Sequence, residues 1–427
     1  MLGYATLGLG ELERSERAYK ALTDEYGLLP GDPLAPVRRE LETSGFSQAP
    51  LMLRILQPEA VDRRAAEAAW TALGKELQAV VRAGLPGKPA TVTGSWLDVA
   101  YAEQAISLSA PVPSLAPLAR LPRLEALSIA AGLTALPFHE LGLLTQLKRL
   151  DIGACGLEDV GFLRGLRQLE RLILYENTGI TDLSSLSGAP RLAFLQLGEG
   201  PVRSLEFLRG MSQLSWLIIS VADEVTDYSP FLELERLEHL DLVSNTVGNL
   251  AFLAKARGLD WVTLRGRGGP LRALESLDGL ENKPRLRWVE VSEAPSLRSV
   301  SALRGAAELK TLALTGAPMV TDFSALSTLP SLERLDLARA VGLTQLEALG
   351  PKPKLTRLDI SKTGVTDLSP AGRFTSLVEL QFYEPVNGPT RGSAAVLGVE
   401  RLLVSPDRFV EPERAAVRAK VRRQRHD

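Results

Sequence analysis

The sequence predicts an α/β solenoid, a curved parallel β-sheet whose strands are joined, unit after unit, by short helical or 3₁₀ turns on the opposite side. Three observations predict it. First, an apolar-x-x-apolar-x-apolar triplet recurs with its first residue at Leu124, Leu147, Leu169, Leu192, Leu214, Leu237, Leu259, Leu286, Leu309, Leu332, Leu355, Leu377 and Val399, at steps of 22 or 23 residues and one of 27. A fixed period of this length marks stacked supersecondary units. Second, the last two apolar positions of each triplet alternate, as at Leu172 and Leu174, which is the period-2 pattern of a strand with one buried face. Third, a second apolar set follows each triplet, such as Ile180, Leu183 and Leu186, and its spacing by three suits a short 3₁₀ or helical turn.

Taken in chain order, residues 1–95 read as an N-terminal helical capping region. Glu11 to Tyr26 reads as one helix ended by Gly27, and Pro58 to Ala83 as a longer one with Pro in its first turn and Gly84 and Pro86 at its end. Trp70, Leu73, Leu77 and Val80 or Val81 fall on one face of that second helix as core. The solenoid then spans residues 96–405, with Ile106 and Leu108 marking a degenerate first unit. No unit can bury its own apolar set, so stacking brings the strands side by side at about 4.8 Å, and the wider back curves the array. Thr181-Asp182, Thr226-Asp227, Thr321-Asp322 and Thr366-Asp367 stand just ahead of the turns, where a side-chain oxygen can accept from a free backbone N–H. The longest step holds Arg265-Gly-Arg-Gly-Gly-Pro270, which reads as an insertion; no Lys-Ser/Thr follows it to make a phosphate loop. Residues 406–427 read as a basic capping tail, with a short helix from Pro412 to Arg425 that carries Ala416, Val417 and Val421 and the cations Arg418, Lys420, Arg422, Arg423 and Arg425.

These units resemble the leucine-rich-repeat family in its short, internalin-type form. The family places Asn, Cys or Thr three residues after the triplet, bonding backbone inside the turn. Asn177, Asn245, Cys155 and Thr363 match, whereas Gly132, Gly200, Ala222, Ala294, Ala317 and Ala340 replace the polar residue. The resemblance implies a solenoid with strands on its concave face and a protein-recognition role.

Composition narrows the function. The 427 residues are 45% apolar and 23% charged, with 49 basic against 51 acidic side chains, which fits an ordered chain and gives no broad field for steering nucleic acid or an anionic membrane. No apolar run reaches the length of a membrane span, and the start lacks the pattern of a secretory signal, so a cytoplasmic location is expected. Cys155 is the sole cysteine and is read as an interior turn residue. The chain has no Walker loop, His-Glu-x-x-His, Gly-x-Ser-x-Gly or Cys-x-x-Cys, and His139, His239 and His426 are far apart. The expectation is therefore a protein that is not an enzyme, with no catalytic residues, cofactor or metal, and monomeric on its own.

What remains is a surface. The residue before the second apolar position of each triplet forms a column on the solvent face: Ala126, Arg149, Arg171, Phe194, Trp216, His239, Trp261, Trp288, Thr311, Arg334, Arg357, Glu379 and Arg401. Its middle is aromatic. The next column outward holds Asp151, Ile173, Gln196, Ile218, Asp241, Thr263, Glu290, Ala313, Asp336 and Asp359. Large aromatics bury about 150–250 Å² each, so several on one face reach the largest apolar patch that a soluble monomer usually shows. The expected partner-binding set is Phe194, Trp216, Ile218, His239, Trp261, Trp288, Arg171, Asp241 and Glu290, framed by Arg149 with Asp151, Arg334 with Asp336, and Arg357 with Asp359. The competing reading is that the rings lie flat against one another and stiffen the sheet. Two other functions are weaker: an activity in residues 1–95, where there is no Cys or His, and nucleic-acid binding through the basic tail.

Overall fold

Each triplet of the described residues becomes a short parallel strand, because its apolar positions must turn inward while turn residues redirect the chain on either side. The computed structural model describes residues 105–424, apart from 109–110, 113, 121–123 and 199–201. The helices expected within residues 1–95, the first residues of the expected solenoid and Arg425 lie outside the described residues.

The chain divides into two compact units, Met1–Ala189 and Pro190–Asp427. The sequence does not mark this division, since the repeat step across it, from Leu169 to Leu192, is an ordinary 23 residues. The first unit carries β1 (Ala105–Leu108), β2 (Ala126–Ile129), β3 (Arg149–Ile152) and β4 (Arg171–Leu174), each paired in parallel with the next. The degenerate copy at Ile106 and Leu108 is thus a true strand, and both residues are buried.

The second unit carries β5 (Phe194–Leu197), β6 (Trp216–Ser220), β7 (His239–Val243), β8 (Trp261–Arg265), β9 (Trp288–Val291), β10 (Thr311–Leu314), β11 (Arg334–Asp336), β12 (Arg357–Asp359), β13 (Glu379–Phe382) and β14 (Arg401–Val404). Again every strand pairs in parallel with its sequence neighbours. Leu217, Leu240, Val262, Val289 and Leu312 are buried and in register from strand to strand, forming one row of the core. Each such side chain contributes about 1.5–3 kcal/mol on leaving water.

The turns opposite the strands are 3₁₀, as the spacing by three predicts. Their entry is capped as expected: Asp182, Asp227, Asp322 and Asp367 each accept, through Oδ1, a 2.8 Å hydrogen bond from the N–H of the serine two residues on. The hydrogen bonds from these serines hold all four carboxyls below the usual carboxylate range.

Inside the turns, Asn177 makes four bonds. Its Oδ1 accepts from the N–H of Cys155 at 3.0 Å and of Leu157 at 3.1 Å, and its Nδ2 donates to the carbonyls of Ile152 at 2.7 Å and Tyr175 at 3.2 Å. Cys155 is 1% exposed, its thiol lies against the Ala130 and Gly153 carbonyls, and burial pushes its pKa up, which is the chemistry of an inert interior residue. Asn245 departs from the expected role. Strand β7 continues to Val243, so Ser244 enters the interior instead and bonds Tyr228 Oη at 2.6 Å, while Thr246 donates to the Val225 carbonyl at 2.6 Å. Where alanine replaces the polar residue, the backbone satisfies itself: the N–H of Ala222 donates to Val202 at 2.8 Å and that of Ala340 to Leu337 at 3.0 Å.

The C-terminal helix, α1, spans Glu413–Arg423, with Val417 buried, Val421 half-buried and Ala416 exposed. Glu413 ties it to the last repeats by accepting from the N–H of Ser393 at 2.7 Å and of Gly392 at 3.2 Å. Among the cations of its outer side, Arg418 pairs with Asp407.

Candidate functional site

Parallel pairing in register turns a sequence column into a row of neighbours. Phe194, Trp216, His239, Trp261 and Trp288 are the first residues of β5 to β9, and each pairs with the next. Their chain neighbours Leu217, Leu240, Val262 and Val289 are buried in the core, so by the period of two the rings stand on the other, front face of the sheet. The row spans about 19 Å at the usual strand spacing.

The rings form a continuous stack. Centroids are 5.6 Å apart for Phe194 and Trp216, 3.6 Å for Trp216 and His239, 5.2 Å for His239 and Trp261, and 4.0 Å for Trp261 and Trp288. The interplanar angles, 25°, 7°, 21° and 5°, are those of rings lying face to face. Phe194 and His239 are buried, and the three tryptophans are half-buried. Trp261 Nε1 donates to Thr263 Oγ1 at 2.9 Å, but Trp216 Nε1, Trp288 Nε1 and His239 Nε2 are buried without a hydrogen-bond partner among the described residues. Burial between two indoles pushes the His239 imidazole, 5% exposed, down to about 3, so it is neutral across the physiological range.

Alongside the rings runs the second column, with Ile218 opposite Asp241, Asp241 opposite Thr263, and Thr263 opposite Glu290. Asp241 is 2% exposed; Arg265 Nη2 lies 3.0 Å from its Oδ2, and its Oδ1 has no hydrogen-bond partner among the described residues. Burial pushes this carboxyl up to about 6, with Glu290 adding to the shift and Arg265 opposing it. In the sequence Arg265 stands at the head of the glycine-rich insertion, yet its period-2 spacing from Trp261 and Thr263 is the signal that places it on this face. The insertion after it is held by Asn245, whose Oδ1 accepts from the Arg267 N–H at 2.9 Å.

The expected frame is built differently from its prediction. Arg334 with Asp336, Arg357 with Asp359, and Arg149 with Asp151 share strands but form no salt bridges. Residues two apart on one strand are about 6.6 Å apart along it, and Asp336 and Asp359 each find a donor ahead. Asp336 Oδ1 accepts from the Ala338 N–H at 2.9 Å and Asp359 Oδ1 from the Ser361 N–H at 2.8 Å. Arg357 and Arg401 turn instead to Glu379, at 4.0 and 2.9 Å. Arg149, Asp151 and Arg171 belong to the first unit, where Arg149 pairs in register with Arg171. Burial pulls Arg171 down to about 10, with Arg149 adding and Asp151 opposing, and burial also pushes Asp151 up. Ile173, expected on the apolar zone, is buried.

Burial pushes Asp336 up to about 6, and Asp359 and Glu290 reinforce the shift while the Ala338 N–H and Arg339 oppose it. A carboxyl whose folded pKa exceeds its unfolded value near 3.9 binds more protons in the folded state, so its ionisation removes stability as pH rises through about 6. Asp336→Asn, which keeps the acceptor for the Ala338 N–H, is therefore expected to stabilise the protein by about 1–3 kcal/mol at pH 7.5. The gain should shrink through pH 6 and vanish near pH 4. Urea midpoints of the two proteins across that range measure it, and a gain independent of pH would contradict the account.

Among the described residues, no group of three or more His, Cys, Asp and Glu could hold a metal ion, and no helix is long and apolar enough to cross a membrane. No family model matches the sequence, and no curated protein matches it. Solved structures do. A leucine-rich-repeat protein of Leptospira interrogans aligns over 86% of this chain and 98% of its own, with a TM-score of 0.62 at 18% identity. The internalin InlF of Listeria monocytogenes aligns over 65% of this chain and 86% of its own, with a TM-score of 0.48 at 22% identity. The Leptospira structure and the strand-and-turn architecture above make the fold a leucine-rich-repeat solenoid.

Proposed function

We propose that this leucine-rich-repeat solenoid is a non-catalytic recognition module that binds a protein partner through the aromatic row on the front face of β5 to β9. One observation carries the reading: five rings on five successive strands, in register, with three half-buried tryptophans among them. Tryptophans of this kind, set among polar residues, have the composition of an interface hot spot. The neutral His239 and Ile218 add apolar area beside them. An adaptor and an inhibitor of another protein would both use such a face.

The face-to-face geometry favours a second reading, in which the stack holds the strands together and has no partner. The experiment that separates them is affinity capture from native lysate with the full chain and with Trp216→Ala/Trp261→Ala, alongside the denaturation curve of each. Recognition predicts partners that the variant fails to recover while it remains folded. Identical recoveries would end the recognition reading and leave the structural one.

A further inference from the structure

The front face changes character where the ring stack stops. Trp288 has one ring face against Trp261, 4.0 Å away and 5° from parallel, and turns the other toward β10. There the two front-face positions hold the small residues Thr311 and Ala313, in register with Trp288 and Glu290 on one side and with Arg334 and Asp336 on the other. The result is a notch one strand wide between bulky neighbours. Its second column is acidic: Glu290, Asp336 and Asp359 stand on β9, β11 and β12, and none of the three enters a salt bridge among the described residues, whereas the next acidic residue of the face, Glu379, is paired with two arginines.

The unmet hydrogen bonds point the same way. Beyond Thr263 in the same column, Asp241 is 2% exposed and its Oδ1 has no partner among the described residues. His239, 5% exposed, is neutral, and its Nε2 has no partner either among the described residues. The Asp241 oxygen without a donor, beside carboxylates that enter no salt bridge among the described residues, calls for a ligand that brings N–H groups and positive charge. The orphaned indole N–H groups of Trp216 and Trp288 call for carbonyl oxygens as well. A polypeptide with a basic side chain supplies all three, while a nucleic acid would set its phosphates against the carboxylates.

Resting on the recognition reading above, we propose that the notch between β9 and β11 takes an arginine or lysine side chain of the partner polypeptide. The side chain lies over Thr311 and Ala313 against the outer ring face of Trp288, and its charged head sits between Glu290 and Asp336. Cation–π contact with an indole and charge-assisted hydrogen bonds to carboxylates are the interactions that such a head makes. Charge complementarity thus selects the residue, and the rings select its apolar surroundings.

The test titrates the full chain with an N-acetylated octapeptide bearing two arginines and with its counterpart bearing two glutamates, following the Trp288 indole N–H by NMR. The arginine peptide is expected to shift that resonance saturably, and Glu290→Gln and Asp336→Asn are each expected to weaken it about tenfold. Neither variant removes a buried apolar group, and the fold of both is checked by their spectra. No response to the arginine peptide, an equal response to the glutamate peptide, or undiminished affinity in both variants overturns the proposal. So does a Trp288 shift that depends on protein concentration alone, which would mean that a second copy of the chain occupies the face. The two readings separate: lysate capture that needs Trp216 and Trp261 but tolerates Glu290→Gln and Asp336→Asn keeps the recognition module and removes the basic residue.

Discussion

Replacing Trp261 by alanine is expected to return the His239 imidazole from about 3 toward its ordinary value near 6.5, a change of roughly a thousandfold in proton affinity. Trp261 covers one ring face of His239, with centroids 5.2 Å apart, and burial is the cause of the depressed value. Removing the indole lets water reach the ring, and water favours its charged form. Titration of the histidine ring protons by NMR reads this directly.

The same change should cost about 2–4 kcal/mol of stability, because both His239 and Trp288 lose a stacked neighbour. The pH dependence has a definite sign. A histidine whose folded pKa lies below its unfolded one binds fewer protons in the folded state, so it removes stability as pH falls from about 6.5 toward 3. That loss should be smaller in Trp261→Ala than in the parent protein, and Trp261→Phe should stay close to the parent. A histidine that titrates near 3 in both proteins would show that the stack is not what holds it neutral.

Gly279→Ala is expected to destabilise the second unit by about 2–5 kcal/mol, read as a lowered denaturant midpoint. Gly279 has φ +110°, outside the range that L side chains adopt readily, and a Cβ there would lie 1.9 Å from the Leu250 carbonyl oxygen. Neither the backbone conformation nor the close approach of the preceding repeat can relax without moving a turn. Gly305→Ala is the control, since Gly305 has φ +80° but open space around a Cβ. It should cost only the conformational part, about 1 kcal/mol. Equal losses at the two positions would mean that the carbonyl contact is unimportant.

The repeat and the strand positions were fully legible in the sequence. Every column residue from Ala126 to Arg401 is the first residue of its strand, and within each unit the pairing joins equal positions of successive repeats. The aromatic row was legible for the same reason. The partners of polar side chains were not. Arg334 and Asp336 look like a pair in the sequence, yet Asp336 caps Ala338 because that amide is nearer. Asn245 fits the family's interior position, yet it holds the insertion because β7 runs to Val243. Arg265 was hidden by its glycine neighbours although it continues the strand's alternation and reaches Asp241.

By itself, then, the sequence determined a stack of short parallel strands and the identity of each residue on either face. A period of two along the strand and a period of 22 or 23 between strands leave one consistent phase, and burial of the leucines fixes it. Tertiary structure alone decided that the rings lie flat on one another, that His239 and Asp241 are sealed from water with bonds unmet among the described residues, and that Glu290, Asp336 and Asp359 enter no salt bridge there. Those outcomes depend on which of several donors or ring faces lies nearest after folding, a competition over fractions of an ångström that no local pattern records.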